Sequence, residues 1–393
     1  MLQDTKIITR NVWILSLVSL FTDMASEMLY PVMPVYLKSI GFSIILIGVL
    51  EGFAEATAGL SKGYFGNLSD RTGRRKPFVQ LGYALSAISK PMMAAFSYPL
   101  WIFFARTTDR LGKGIRTGAR DALLSDEATP ETKGRVFGFH RALDTVGAVI
   151  GPMLALIFLQ LYPGDYKTLF FLAFLPGLFA IVFTVLIREK KSTQTENIVK
   201  PGFWDFLQYW SRSPAQYRQL AGALLVFTLF NSSDVFLLLH IKAAGLSDGA
   251  VIGMYIFYNF IYAAAAYPMG ILADRLGMKR VFVFGLLLFA VVYAGIAFAS
   301  TWPVFAGLFF LYGLYASATE GVAKAWMTNI CAKKDTATAI GTFTAFQSIG
   351  ALLASSMAGL IWYSAGAEVV FSISAGASLV VAGYVWHLKN FEK

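Results

Sequence analysis

Gly66-Asn67-Leu68-Ser69-Asp70-Arg71-Thr72-Gly73-Arg74-Arg75-Lys76 is a dense run of glycine and charge between two long apolar segments. A second copy, Gly270-Ile271-Leu272-Ala273-Asp274-Arg275-Leu276-Gly277-Met278-Lys279-Arg280, starts 204 positions later in a chain of 393 residues. One order, Gly-x-x-x-Asp-Arg-x-Gly, recurring at the same point of two halves reads as a duplicated unit. Gly66 and Gly270 permit close helix approach, and Gly73 and Gly277 permit a tight turn. Asp70 and Asp274 are placed to accept hydrogen bonds from an exposed helix N-terminus or to pair with a nearby arginine. Breaking such contacts on one face would free the two halves to rock. A passive, solvated topology marker is the plainer alternative, and the duplication argues against it.

Hydrophobic residues make up 56% of the chain and charged ones 14%, against about 25% charged in an ordinary soluble domain. Many apolar stretches reach the ~20 residues that cross a bilayer. The net charge of +10 does not imply a nucleic-acid partner, because the basic residues fall mainly in alternate loops. Arg71, Arg74, Arg75, Lys76, Lys133, Arg135, Arg188 and Lys190 share one side, while Lys38, Lys167 and Lys242 are nearly all the other side offers. That asymmetry places both termini and the central linker in the cytoplasm and the chain in the inner membrane. The single Cys331 excludes an intrachain disulfide. No spacing suits a structural metal, and no cofactor is expected. The polar segment 1–10 lacks a following small-residue cleavage site, so the first span reads as retained.

The pattern predicts an all-α membrane protein with twelve spans, at about 12–37, 43–68, 78–96, 100–124, 136–161, 168–187, 220–241, 250–271, 281–299, 303–329, 339–364 and 368–388. A six-helix bundle over 1–190 precedes a linker over 191–218 and a second bundle over 219–393. The polar stretch 188–200 reads as the connection between halves. After it, Phe203, Trp204, Phe206, Leu207 and Trp210 interleave with Asp205, Arg212 and Arg218. That suits a short helix lying in the interface, or a loop held by aromatic anchors.

The charged loop after the second span of each half resembles the signature loop of the major facilitator superfamily of secondary transporters. Gly147-Ala148-Val149-Ile150-Gly151-Pro152 resembles the Gly-x-x-x-Gly-Pro motif that this superfamily carries in antiporters and exporters. The resemblance implies two pseudo-symmetric six-helix bundles and alternating access to a central site. It also implies a role for Arg106, which matches the superfamily's span-4 arginine, associated with proton coupling. The glycine expected four residues later is Arg110 here, with Gly112 and Gly114 beyond it.

Ionisable groups in hydrocarbon cost roughly 2.5 to 3.5 kcal/mol each on insertion scales, yet the first half accepts many. Asp23 and Glu27 share one helix face near Tyr30, with Pro31 and Pro34 following to break or bend the span. Glu51 and Glu55 repeat the four-residue spacing. These four carboxylates are candidates for taking up a proton. They should face a water-filled cavity or the cations of span 4, where Arg106, Arg110 and Lys113 form one stripe that Arg116 and Arg120 extend. Shifting by the repeat lays Arg116 over Glu320 and Arg120 over Lys324, a pair whose spacing lets it satisfy itself. Asp234 interrupts the seventh span as Asp23 interrupts the first, and paired interruptions point to a site near the midplane. Tyr258 and Asn259 share a span with other polar groups.

The expected substrate-contacting set is therefore Tyr30, Arg110, Lys113, Arg116, Asp234, Tyr258, Asn259, Glu320 and Lys324. The expected gating set is Gly66, Asp70, Arg71, Gly73, Asp144, Gly147, Gly151, Pro152, Gly270, Asp274, Arg275 and Gly277. Together they predict a monomeric secondary transporter, a proton-coupled exporter of a small organic molecule, with the span-4 cations favouring an anion. Organic-anion uptake by symport or uniport is the alternative within transport, and a non-transporting membrane sensor is the alternative outside it. No loop could house a soluble catalytic domain and no nucleophile-base pattern stands out, so an enzyme is not expected.

Overall fold

The structure, a computed structural model, describes residues 7–30, 32–189 and 201–388. The described residues contain no strand. In chain order the helices are α1 (Arg10–Glu27), α2 (Met33–Ser39), α3 (Ile44–Thr72), α4 (Lys76–Ala95), α5 (Pro99–Asp126), α6 (Lys133–Leu161), α7 (Tyr166–Val185), α8 (Gln208–Arg212), α9 (Ala215–Phe230), α10 (Val235–Ala243), α11 (Asp248–Leu276), α12 (Met278–Phe298), α13 (Trp302–Ile330), α14 (Thr336–Ala365) and α15 (Ala367–His387).

Eight helical stretches among the described residues are long and apolar enough to cross a membrane: α6, α7, α9 with α10, α11, α12, α13, α14 and α15. The predicted spans outside this set, α1 to α5, are those with charge along them. Asp23 and Glu27 lie in α1, Glu51 and Glu55 in α3, Lys90 in α4, and seven charged residues between Arg106 and Asp121 in α5. Leu100, Phe298, Tyr363 and Val380 stand exposed on the outside of the helices. Such a surface is stable against lipid and a liability in water. The chain is a multi-pass membrane protein.

Two spans are broken. The first stops at Glu27 and resumes at Met33, with Pro31 outside the described residues. The seventh stops at Phe230 and resumes at Val235. Asn231, Ser232 and Ser233 fill that second gap, and their short polar side chains compete with the helical backbone ladder. The first break is fixed from below by Tyr36. Its hydroxyl donates to the Met93 carbonyl at 3.1 Å, and its ring stands edge-on to Phe170 at 4.8 Å.

The chain divides into two compact units. The first comprises Met1–Ala128, Leu143–Arg212 and Ala332–Ala345; the second comprises Thr129–Ala142, Ser213–Cys331 and Phe346–Lys393. Each is packed the same way. In the first, α5 packs on α3 and α4, and α7 on α4 and α1. In the second, α13 packs on α11 and α12, and α15 on α12 and α9. The sequence repeat is therefore a repeat of helix packing. Most of the predicted 188–200 linker lies outside the described residues. Beyond it, a turn at Asp205–Leu207 runs into α8. Phe203, Trp204 and Leu207 are exposed while Phe206 and Tyr209 are buried, the two-faced pattern of an interfacial segment.

Candidate functional site

The two predicted carboxylate anchors each cap a helix. At the end of α3, Asp70 Oδ2 accepts from the backbone N–H of Thr338 at 2.6 Å and from its hydroxyl at 2.8 Å. Thr338 lies in the first turn of α14, where backbone N–H groups have no intrahelical partner. Arg75 flanks the carboxylate at 3.4 Å and reaches Asp126 at 3.5 Å. At the end of α11, Asp274 accepts from the N–H groups of Gly134 and Arg135 at 2.7 and 2.9 Å, in the first turn of α6, with the Arg135 guanidinium at 3.4 Å.

Around these caps the backbones touch. A Cβ on Gly66 would strike the backbone of Ala337, and one on Gly270 the backbone of Gly134. Gly73 ends α3 in the left-handed region at φ 60°, and Gly277 has φ 97°, conformations that favour glycine. Arg71 turns away to Asp205 at 3.1 Å, and Arg275 is exposed. Gly147 and Gly151 meet the backbone of α1 at Leu20, Met24 and Glu27, so close that neither tolerates a side chain. α6 runs on through Pro152. Asp144, buried, acts electrostatically on Arg120.

The charges of the first unit assemble into a ladder. Glu51 and Glu55, one turn apart on α3, face Arg106 and Arg110, one turn apart on α5. Arg106 grips Glu51 with two parallel bonds of 2.8 and 2.9 Å, the fork geometry that makes arginine–carboxylate pairs strong. Arg110 reaches Glu55 at 3.1 Å and Glu51 at 3.9 Å. Behind Arg106, Asp109 lies 3.5 Å from its guanidinium and 2.6 Å from Lys90 Nζ. Lys90, Asp109 and Arg106 are buried, with side chains 2% to 8% exposed, while Glu51 and Glu55 are 34% and 46% exposed. Lys113 continues the ladder, exposed and without an ion pair among the described residues, with Glu55 and Asp23 acting on it through space. Glu27 and Tyr30 stand at the break after α1, with Tyr30 half exposed.

Arg116 departs from the expected stripe. Ten residues at about 100° each put it roughly 80° away from Arg106 around the helix. Its guanidinium is buried against α4, 4.6 Å above the Tyr83 ring and 2.6 Å from the Ser86 hydroxyl. Arg120 likewise turns inward, to Asp121 at 2.8 Å and Ser19 at 3.2 Å.

In the second unit Asp234 sits in the α9–α10 break and accepts hydrogen bonds of 2.5 Å from the Tyr258 and Tyr312 hydroxyls. Asn259, the neighbour of Tyr258, turns back to its own helix and donates to the Tyr255 carbonyl at 3.0 Å. Glu320 does not depend on Lys324 for its charge partner, since Arg141 reaches it at 2.5 Å and also stacks on and bonds to Tyr262. Lys324 is half-buried one turn on. Sequence reasoning missed Lys90 and Tyr312. A lone lysine inside the apolar run of α4 was the available signal for the first, because such a charge demands a partner.

The chain matches the family described as Major Facilitator Superfamily over residues 15–260 and 245–390. An uncharacterised MFS-type transporter of Methanocaldococcus jannaschii is 30% identical over 366 residues, covering 92% of this chain and 90% of the relative. Among solved structures, the human organic anion transporter MFSD10 superposes with a TM-score of 0.81 at 16% identity, covering 96% of this chain and 99% of the other. The Escherichia coli fucose:proton symporter FucP superposes with a TM-score of 0.72 at 14% identity, covering 95% and 98%. Duplicated packing, capped helix starts and these matches agree on one fold, and the chain belongs to the major facilitator superfamily of transporters.

Proposed function

We propose that this protein is a proton-coupled secondary transporter of a small organic anion, working by alternating access. The bundles over 1–190 and 219–393 are the moving bodies, in an inner membrane with both termini cytoplasmic, and the working form is the monomer. The observation that carries the reading is the open end of the α3–α5 ladder. Arg110 is held by carboxylates that are a third to a half exposed, and Lys113, an exposed residue, follows it on α5.

An incoming carboxylate, sulfonate or phosphate competes for Arg110 and Lys113. The glutamate that gives up its guanidinium loses its counter-charge and takes a proton in its place. Anion and proton are thus held together, which favours symport. A human organic anion transporter and a fucose:proton symporter among the structural neighbours support both halves of this reading. Export, the second reading, is favoured by the Gly147–Gly151 contact with α1, the stripe that resembles the exporter motif. In either direction, release of Asp70 from α14 and of Asp274 from α6 accompanies the change of access.

Thermal unfolding of the purified protein against a panel of anionic, neutral and cationic organic molecules tests the assignment. Anions are expected to stabilise it by mass action, more strongly at acid than at alkaline pH because a proton binds with them. Stabilisation by cations instead, or an anion effect that survives Arg110→Ala, would move the site elsewhere.

A further inference from the structure

The first unit matches the carboxylates of its ladder with cations, and the second unit leaves one without. Asp234 is partly exposed in the break between α9 and α10, and no lysine, arginine or histidine among the described residues pairs with it. Its two oxygens are held instead by phenols from different helices, Tyr258 of α11 and Tyr312 of α13. Asn231 ties a third tyrosine into the cluster, donating to the Tyr315 hydroxyl at 3.1 Å.

Three more oxygens in the cluster are buried and lack a hydrogen-bond partner: Asn231 Oδ1, Ser232 Oγ and Tyr293 Oη. Ser232 is 5% exposed and Tyr293 fully buried. The Ser232 and Tyr312 hydroxyls lie near that of Tyr293 without reaching bonding geometry. The other charged group that acts on Asp234 is also a carboxylate, Glu320 of α13, itself occupied by Arg141. His240, on α10, packs against Phe305, Trp362 and Phe371.

A carboxylate without a cationic partner, set among several buried oxygens that lack a hydrogen-bond partner, calls for an occupant. The donors are one carboxylate, one amide oxygen and hydroxyls. That all-oxygen set suits a hard cation, and its single negative charge matches one positive charge. We propose that the Asp234 cluster is a monovalent-cation site, occupied by a sodium ion or a proton. It belongs to the second unit and does not depend on what the α3–α5 ladder of the first unit binds.

The test is thermal unfolding of the purified full-length protein without substrate, in sodium, potassium and choline chloride at equal ionic strength and at alkaline and mildly acidic pH. Wild type, Asp234→Asn and Tyr293→Phe are compared. Occupancy is expected to raise the wild-type melting temperature by about 4 °C or more, and Asp234→Asn loses that rise. A rise in sodium alone, needing about tenfold more sodium in Tyr293→Phe, assigns the ion. A rise on acidification, equal in all three salts, assigns the proton. The proposal is overturned if wild type shows neither response, or if Asp234→Asn keeps them. Should Asp234→Asn fail to fold, carbodiimide labelling of wild-type Asp234, located by peptide mass, gives the same decision. Protection by sodium or increased labelling on acidification supports the site, and labelling indifferent to both overturns it.

Discussion

The ammonium of Lys90 stands 2.6 Å from a carboxylate oxygen of Asp109, and both side chains are buried between α4 and α5. Neither charge could lie alone in a hydrocarbon-embedded bundle. Removing one partner leaves the other uncompensated, so Lys90→Met should destabilise the protein by about 3–5 kcal/mol. Asp109→Asn should do the same or more, because it also strips Arg106 of a neighbour. The double change Lys90→Met with Asp109→Leu should recover most of the loss. Denaturant unfolding in mixed micelles checks this, and equal losses in the single and double variants would contradict it.

Arg110 and Arg116 are expected to behave differently although they lie on one helix. Arg110→Ala removes an anion contact and leaves exposed glutamates that water can solvate. Anion affinity should fall about tenfold to a hundredfold with little change in melting temperature. Arg116→Ala removes a buried guanidinium from Tyr83 and Ser86. It should lower the melting temperature and leave affinity near wild type. Isothermal titration beside thermal unfolding separates the two, and the reverse pattern would put Arg116 in the site.

The helix caps make a paired prediction. Asp70→Ala leaves the first turn of α14 uncapped, and Asp274→Ala does so for α6. Each should cost about 1–2 kcal/mol. Because the two caps lie in separate units, the losses should add to within about half a kcal/mol. Amide hydrogen exchange should quicken around Thr338 in the first variant and around Gly134 and Arg135 in the second, each leaving the other site slow.

Phe206 is buried against Gly63, and its carbonyl accepts from the Thr342 hydroxyl at 3.1 Å. Phe206→Ala should cost about 3–5 kcal/mol and release the linker from α3 and α14. Asp205→Ala breaks only the partly exposed pair with Arg71 and should cost less than about 1 kcal/mol. Limited proteolysis after Arg212 should be faster in the first variant alone.

Much of this was legible because charge in an apolar chain is conspicuous. The duplicated Asp70 and Asp274 disclosed the repeat, and the four-residue spacing of Glu51 and Glu55 anticipated the matching spacing of Arg106 and Arg110. The break at Asp234 was visible as a polar interruption. Other features depend on distance between helices, which spacing does not carry. The partner of Lys90 is on the next helix, and that of Glu320 is Arg141, far away in sequence. Tyr312 and Tyr293 look like any aromatic in a lipid-facing span until packing gathers them around Asp234. Arg116 lies off the Arg106–Lys113 stripe because of helical phase, since by the tenth residue the helix has turned past that face.

The most direct test of the account is flux of a stabilising organic anion into liposomes holding the purified protein, with and without an imposed pH gradient. The account predicts uptake driven by an inwardly directed proton gradient, lost when the gradient is collapsed and reduced in Arg110→Ala. Flux that ignores the gradient, or ligand binding with no movement across the bilayer, would contradict it.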